Sequence, residues 1–464
     1  MPGKTPILFL DDVDTQRRIN LVRRLQCPLR HPANPLIVPQ HPWEANRVQC
    51  YGNVLHDGGR FRFWYFASEQ RDPTDVPWPV PDRGRPARIY NACYAESEDG
   101  VCWHKPMRTD LDFPPYKAHN IVLPDIHSVC VHRDDSDPDP GRRYKMLGGA
   151  KTAVSADGLH WQSRPNEAVG KNDTGSSWLR WGDRYLAFVR QQTHEPDWPV
   201  VRAVGLSTST DFDVWTPKQT VLTTVDHPEY PWVQPYGLSV FARGGLLIGI
   251  LWTIELDRFE MGPDVSWKWN NSIGDIRMSW VCSRDGHNWS SVVGTQSVMT
   301  PEAGAWDSAG VWPATDVLLH DDRLWLYYSG TDRRHGEGGG QGVARSGIGL
   351  ASLPMDRIVG LAPGDPSQPG QLDIPLGEQT GACGALQLNA DLATPTDLRV
   401  EAIDEQGSVV TGYEGANSHL RRLDELRWHV TWGTDHRSLR QADSATTLRL
   451  ELAGEALLFA CEWI

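Results

Sequence analysis

Four copies of one short pattern, Ser-x-Asp-(Gly/Phe)-x-x-Trp, constrain this chain more than anything else in it. They are Ser97-Glu98-Asp99-Gly100 with Trp103, Ser155-Ala156-Asp157-Gly158 with Trp161, Ser209-Thr210-Asp211-Phe212 with Trp215, and Ser283-Arg284-Asp285-Gly286 with Trp289. A pattern repeated at this scale marks an array of similar units rather than one continuous core. The chemistry of the pattern is local. Asp accepts hydrogen bonds from nearby backbone N–H groups, and Gly takes the tight turn that follows. Trp then opens the next strand and packs back on the sheet. The motif therefore reads as structural and is given no catalytic role.

A hairpin precedes each copy. The segments are YGNVLHDGGRFRFWYFAS from Tyr51, HSVCVHRDDSDPDPGRRYKMLGG from His127, SSWLRWGDRYLAFVRQ from Ser176 and YGLSVFARGGLLIGILWT from Tyr236. A fifth, WPATDVLLHDDRLWLYYSGT from Trp312, leads into the strand SGIGLASL. Each has two β-rich runs around a polar or glycine turn. Helical periodicity is absent over any long stretch. About four strands per unit and five units give an all-β chain whose first part is a five-bladed β-propeller. After Leu361 the run PGDPSQPGQ reads as a linker. From residue 371 short alternating strands follow, the pattern of a β-sandwich. The expected domains are 1–362, the propeller, and 371–464, the sandwich. The early strand PILFLDD is expected to pair into the last blade and close the ring. The sandwich is expected to carry no catalytic group.

Composition narrows the partners. Net charge is −14, from 45 basic and 59 acidic residues. Nucleic-acid binding draws on clustered Lys and Arg, so that class is excluded, as is an anionic membrane surface. The expected partner is a small-molecule or carbohydrate substrate, and oligomeric state stays open. The 21 tryptophans would suit the apolar face of a sugar ring. None of the eight cysteines forms a Cys-x-x-Cys pair, and no His cluster has zinc spacing, so reduced thiols are expected. The first residues resemble neither a signal peptide nor a membrane span, and a cytoplasmic location is the expectation. No cofactor is called for, with calcium or another ion on the propeller axis left as an open alternative.

The segments NPLIV, PWE, GRFRFWYF, RRYKMLGG, DRYLAFV, WDS and LWLYYSG, set in this order of units, resemble the propeller glycoside hydrolases. That superfamily includes the β-fructosidase (invertase- and levanase-like) and arabinanase–xylosidase groups. The resemblance covers nearly the whole chain and implies carbohydrate chemistry at acids in the central funnel. In the fructosidases it implies a nucleophilic Asp on the first blade, a stabilising Asp on the second and an acid Glu on the third. This sequence departs from those strings. Val48-Gln49-Cys50-Tyr51-Gly52 has no Asp, Arg133-Asp134-Asp135 lies on a far hairpin turn, and Glu-Cys-Pro is absent.

Residues just before or at the starts of the innermost strands are the candidates for chemistry, because in a closed ring such positions meet at one end of the axis. They are Glu44, Asn46 and Arg47 in the first unit, and His119, Asp125 and His127 in the second. Asp173 follows in the third, then Glu229, Trp232, Gln234 and Tyr236 in the fourth, and Trp306 and Asp307 in the fifth. The acids Glu44, Asp125, Asp173, Glu229 and Asp307 are the catalytic candidates, chiefly Glu44, Asp173 and Asp307. The others are candidates for substrate binding. Glycoside hydrolysis needs one protonated and one ionised carboxyl, and acids crowded together raise one another's pKa. Two alternatives stand beside a glycoside hydrolase or transglycosylase. One is a propeller enzyme of secondary metabolism with eliminating, cyclising or isomerising chemistry, with His119 or His127 as base. The other is a non-catalytic carbohydrate-binding protein.

Overall fold

A computed structural model describes residues 6–464 except 46, 72–86, 167–168, 171–176, 194–200, 259–272, 338–344, 378–384 and 443. The described residues are almost wholly strand and turn. Sheet I pairs Arg47–Asp57, Arg60–Arg71, Ala87–Ser97 and Ile121–Pro124 in that order. Sheet II runs Val129–Arg133, Tyr144–Gly148, Lys151–Ser155, Gln162–Pro165, and sheet III runs Ser177–Trp181, Arg184–Thr193, Val201–Ser209, Gln219–Leu222. Sheet IV runs Val233–Arg243, Leu246–Leu256, Gly274–Ser283, Ser290–Ser291. Sheet V holds Gly310–Pro313, with Leu318–His320 beside it, then Arg323–Thr331, Ser346–Pro354 and Leu29–Arg30. Each sheet packs on the next, and sheet V packs on sheet I, so the sheets form a closed ring of the propeller kind.

The hairpin turns follow from sequence. Gly58-Gly59 and Gly244-Gly245 both have positive φ at two successive residues, the conformation that two-residue hairpin loops need. The repeated motif folds the same way four times. Asp99 Oδ1 accepts from the backbone N–H groups of Val101 and Cys102 at 2.8 and 2.7 Å. Asp157, Asp211 and Asp285 repeat this bond pair on their own following residues. The fourth position has positive φ in every copy, including Phe212 at 67°. A phenylalanine is tolerated there because its ring is fully buried, 4.7 Å from Trp178 and 5.3 Å from both Tyr185 and Trp215. Trp161, Trp215 and Trp289 each donate to the carbonyl three residues back. Trp103 does not: the Gly100 carbonyl accepts from Tyr327 instead.

Inner strands of adjoining sheets are stitched together near the axis. Asn53 Nδ2 donates to the Val131 carbonyl and its Oδ1 accepts from the Val131 N–H. Ser177 Oγ accepts from the Val240 N–H, Ser239 Oγ donates to the Ala314 carbonyl, and the Thr315 N–H donates to the Gly52 carbonyl. Asn53, Ser177, Ser239 and Thr315 are all fully buried. Their bonds to backbone satisfy groups that would otherwise be costly to bury.

Ring closure differs from expectation. The strand PILFLDD does not join the last sheet: Ile7 and Leu8 pair with Cys461 and Ala460. The fifth sheet is closed by Leu29–Arg30, which pairs with Ala351 and Ser352. The apolar run Leu8-Phe9-Leu10 explains this, since all three are buried against the C-terminal strands and the last two sheets. Pairing also crosses the expected boundaries 1–362 and 371–464. Arg17–Ile19 joins the sheet of Gly370–Pro375, Thr447–Leu452 and Leu398–Ile403. Leu21–Leu25 and Val359–Pro363 join the sheet of Leu457–Trp463, Leu386–Asp391, Arg427–Trp432 and Ser418–Arg422. An apolar core that includes Leu372, Leu388, Val400, Trp432 and Leu450 lies between them.

No disulfide occurs among the described residues. Cys50, Cys93, Cys130, Cys282 and Cys461 are buried thiols, and Cys27 and Cys102 are exposed. Among the described residues no helix is long and apolar enough to cross a membrane.

Candidate functional site

Two glycines shape the end of the axis where the inner strands begin. A Cβ on Gly52 would lie 1.8 Å from the Trp64 carbonyl oxygen, and one on Gly237 would press on the Trp252 ring at 3.2 Å. At both places the strand register shifts, between Gln49 and Asn53 and between Pro235 and Gly237. A bulge of this kind re-aims a side chain, and here Tyr51 and Tyr236 sit in the two bulges. Tyr51 lies 5.4 Å from His127, 5.8 Å from Trp252 and 6.4 Å from Trp312, centre to centre. Tyr236 lies 6.4 Å from Trp252. Rings from sheets I, IV and V and from the entry to sheet II thus meet at one place.

Polar groups border these rings. Tyr236 Oη is 2.7 Å from His335 Nε2, and the Arg190 guanidinium stands 4.7 Å over the Tyr236 ring. Arg190 also donates to the Tyr236 carbonyl at 3.0 Å. Gln234 is fully buried: it accepts from Arg202 at 2.8 Å and donates to the Pro231 carbonyl. His127 is also 4.7 Å from Phe66 and 4.9 Å from Tyr90. A tyrosine hydroxyl bonded to an imidazole is an arrangement able to move a proton; Tyr51, Tyr236, Trp252 and Trp312 are themselves buried.

The sequence-derived acids stand elsewhere. Glu44 has no exposed surface. Its carboxylate accepts from Lys105 Nζ at 2.8 and 2.9 Å, from Tyr65 Oη at 2.5 Å and from the backbone of Gln40 and His41. That bonding saturates it and ties the short turn Pro42–Glu44 to sheet I. Asp307 is equally enclosed: one oxygen accepts from Arg30 Nε at 3.1 Å and Tyr328 Oη at 3.2 Å. Arg30 belongs to the strand that closes the ring, so Asp307 clasps the closure. Trp306 beside it lies against Gly330, Gly347 and Gly349, whose missing Cβ atoms leave room for its indole. Asp125 is exposed at positive φ and pairs with Lys151 at 2.9 Å. Glu229 is exposed in the turn before sheet IV, and Trp232 is 41% exposed there. His119 is buried: Nε2 meets the Leu111 carbonyl and Nδ1 accepts from the Ile121 N–H. Arg47 opens the first strand of sheet I, half-buried. Asp173 and Asn46 lie outside the described residues. No hydrogen bond or ion pair joins any two of the candidate acids among the described residues. The structure does bring His127 and Tyr236 to one place, linked through Tyr51 and Trp252.

Sequence reasoning missed Tyr51, Trp252, Trp312, Arg190 and His335. The Tyr-Gly pair that opens two of the hairpins, Tyr51-Gly52 and Tyr236-Gly237, was the available signal. Among the described residues no group of three His, Cys, Asp or Glu side chains is placed to hold a metal.

No family model and no curated protein matches the chain. Solved structures do. One is of the GH130 family of mannoside phosphorylases, which contains glycoside hydrolases that target β-1,2 mannosidic linkages in Candida mannan. It matches at TM-score 0.41 and 14% identity, over 76% of this chain and 97% of that one. The α-L-arabinofuranosidase PaAbf62A from Podospora anserina matches at 0.43 and 9%, over 69% and 96%. The Bombyx mori GH32 β-fructofuranosidase matches at 0.39 and 10%, over 94% and 95%. The likeness is one of chain trace at low identity, and the reading of the site rests on the geometry above.

Proposed function

We propose that this chain is a glycoside-processing enzyme whose ring of five sheets is a five-bladed propeller, with its site at the mouth lined by Tyr51, His127, Tyr236 and Trp312. The observation that supports this is the convergence of aromatic rings from four units on one end of the axis, bordered by Arg190 and His335. On this reading the buried rings part to admit a sugar and hold it by stacking and by hydroxyl hydrogen bonds. The substrate on this reading is a small glycoside. Asp173, just before the inner strand of sheet III, and Glu229, before that of sheet IV, supply the two carboxyls by their place in the chain. The C-terminal sheets take no part in the chemistry.

A panel of chromogenic glycosides tests this. Asp173→Asn and Glu229→Gln are expected to lower turnover on the identified substrate at least about 100-fold without altering the fold, while Asp125→Asn leaves it unchanged. Full turnover in both variants would remove the carboxylate mechanism. One observation favours a second reading, the Tyr236–His335 contact beside Arg190. It suits a non-hydrolytic proton transfer. On that reading Tyr236→Phe abolishes turnover and the two carboxylate variants do not.

A further inference from the structure

The inner strands end at the opposite side of the ring, and there a cavity of about 660 Å³ opens. All five sheets contribute to it, through Val54–Leu55, His132–Ser136, Trp178–Arg180, Val240–Ala242 and Asp316–Leu319. Its size is that of a small-molecule site, and it is separated from the aromatic mouth by the buried stitches of Asn53, Ser177, Ser239 and Thr315.

Charge in the cavity is almost fully matched. Arg180 pairs with Asp134 at 3.2 Å, and Asp134 also accepts from Tyr185 and meets Lys145 at 3.1 Å. Arg133 pairs with Asp135 at 2.7 Å and with Asp57. Asp316 is the exception. Its side chain is only 12% exposed, and Oδ1 accepts from the Val317 N–H at 2.8 Å. Oδ2 accepts no hydrogen bond among the described residues and faces His132 Nε2 across 3.8 Å. His132 is no counter-ion: burial pushes its imidazole down to about 4, so it is neutral near pH 7. The same burial pushes the Asp316 carboxyl up to about 7. A half-enclosed acid without a cation is costly when ionised, and a bound cation is what would offset that cost.

We propose that this cavity is a second small-molecule site, for a compact apolar ligand carrying an ammonium group, with Asp316 as its counter-ion and His132 beside it. The body of such a ligand meets aliphatic walls formed by Leu55, Leu179, Leu318 and Leu319. A bare metal ion would find too few ligands, since no group of three suitable side chains exists among the described residues.

Calorimetric titration of the full chain with benzylammonium, and with benzyl alcohol as its neutral counterpart, tests this. Benzylammonium is expected to bind at least about tenfold more tightly, in keeping with a charge-assisted hydrogen bond. Asp316→Asn should erase that preference, Leu318→Trp should weaken both probes by crowding the cavity wall, and Tyr236→Phe should change neither. The proposal is overturned if the two probes bind alike or not at all, if Asp316→Asn keeps the preference, or if Tyr236→Phe removes it. Should Asp316→Asn fail to fold, unchanged affinity for benzylammonium in Leu318→Trp overturns it alone.

Discussion

Asp316 and His132 have opposite effects on stability, and together they hide a pH dependence that single variants expose. Asp316 has its folded pKa raised to about 7 from 3.8, so its unfavourable contribution is absent below pH 4 and grows as pH rises to about 7. A shift of that size corresponds to roughly 4 kcal/mol. His132 has its folded pKa lowered to about 4 from 6.5, so its contribution is fully favourable above 6.5 and is lost as pH falls toward 4. Between about pH 4 and 6.5 the two slopes oppose each other. Asp316→Asn is expected to raise stability at pH 8 by a few kcal/mol, on the order of the shift above, and to change little at pH 4. Its urea midpoint should climb with pH over 4–6.5 more steeply than that of the parent chain. Parallel profiles for the two proteins would show that Asp316 titrates as an ordinary surface acid.

At the scale of elements, the repeated turn makes a graded expectation. Trp215 is 6% exposed, whereas Trp103, Trp161 and Trp289 are half-buried. Trp215→Ala should cost about 3–5 kcal/mol, and the other three less. Phe212→Gly relieves about 1–2 kcal/mol of left-handed backbone strain but empties a packed site. The net outcome is a loss of about 2 kcal/mol or more, read from denaturant midpoints. A midpoint that rises would mean the backbone strain outweighs the packing.

The turns, the hairpins and the order of the five sheets were legible because each is set by residues close together in sequence. Double glycines at hairpin tips and Asp-Gly turns carry their own conformational signal. The site was less legible, because its geometry depends on distant partners. Nothing local to Glu44 shows that Lys105 will neutralise it, and nothing near Asp307 points to Arg30. His127 and Tyr236 both lie at strand starts and are linked through Tyr51 and Trp252, but bulges decided which neighbouring side chains join them. Asp316 was passed over because it follows an inner strand instead of preceding one.

Across the whole molecule, the N-terminal segment acts as a strap. Residues 7–25 pair with the C-terminal sheets, and Leu29–Arg30 then closes the ring. Arg30 also donates to the Thr300 carbonyl at 2.5 Å, which holds the segment ahead of Asp307. Arg30→Ala leaves the enclosed Asp307 without its cation and is expected to cost about 3 kcal/mol. Replacing both, as Arg30→Met with Asp307→Leu, should recover most of it in a melting experiment. A double variant no better than Arg30→Ala would mean that strand pairing, not the clasp, holds the ring shut.

The carbohydrate site proposed above lies at the end of the axis where the inner strands begin. A crystal structure of the protein soaked with the monosaccharide released from its best chromogenic glycoside tests this most directly. One sugar ring is expected, stacked at the mouth of Tyr51 and Trp312, within hydrogen-bond reach of Tyr236 or His127. Sugar found only on the C-terminal sheets, or only in the cavity of Asp316, would contradict it.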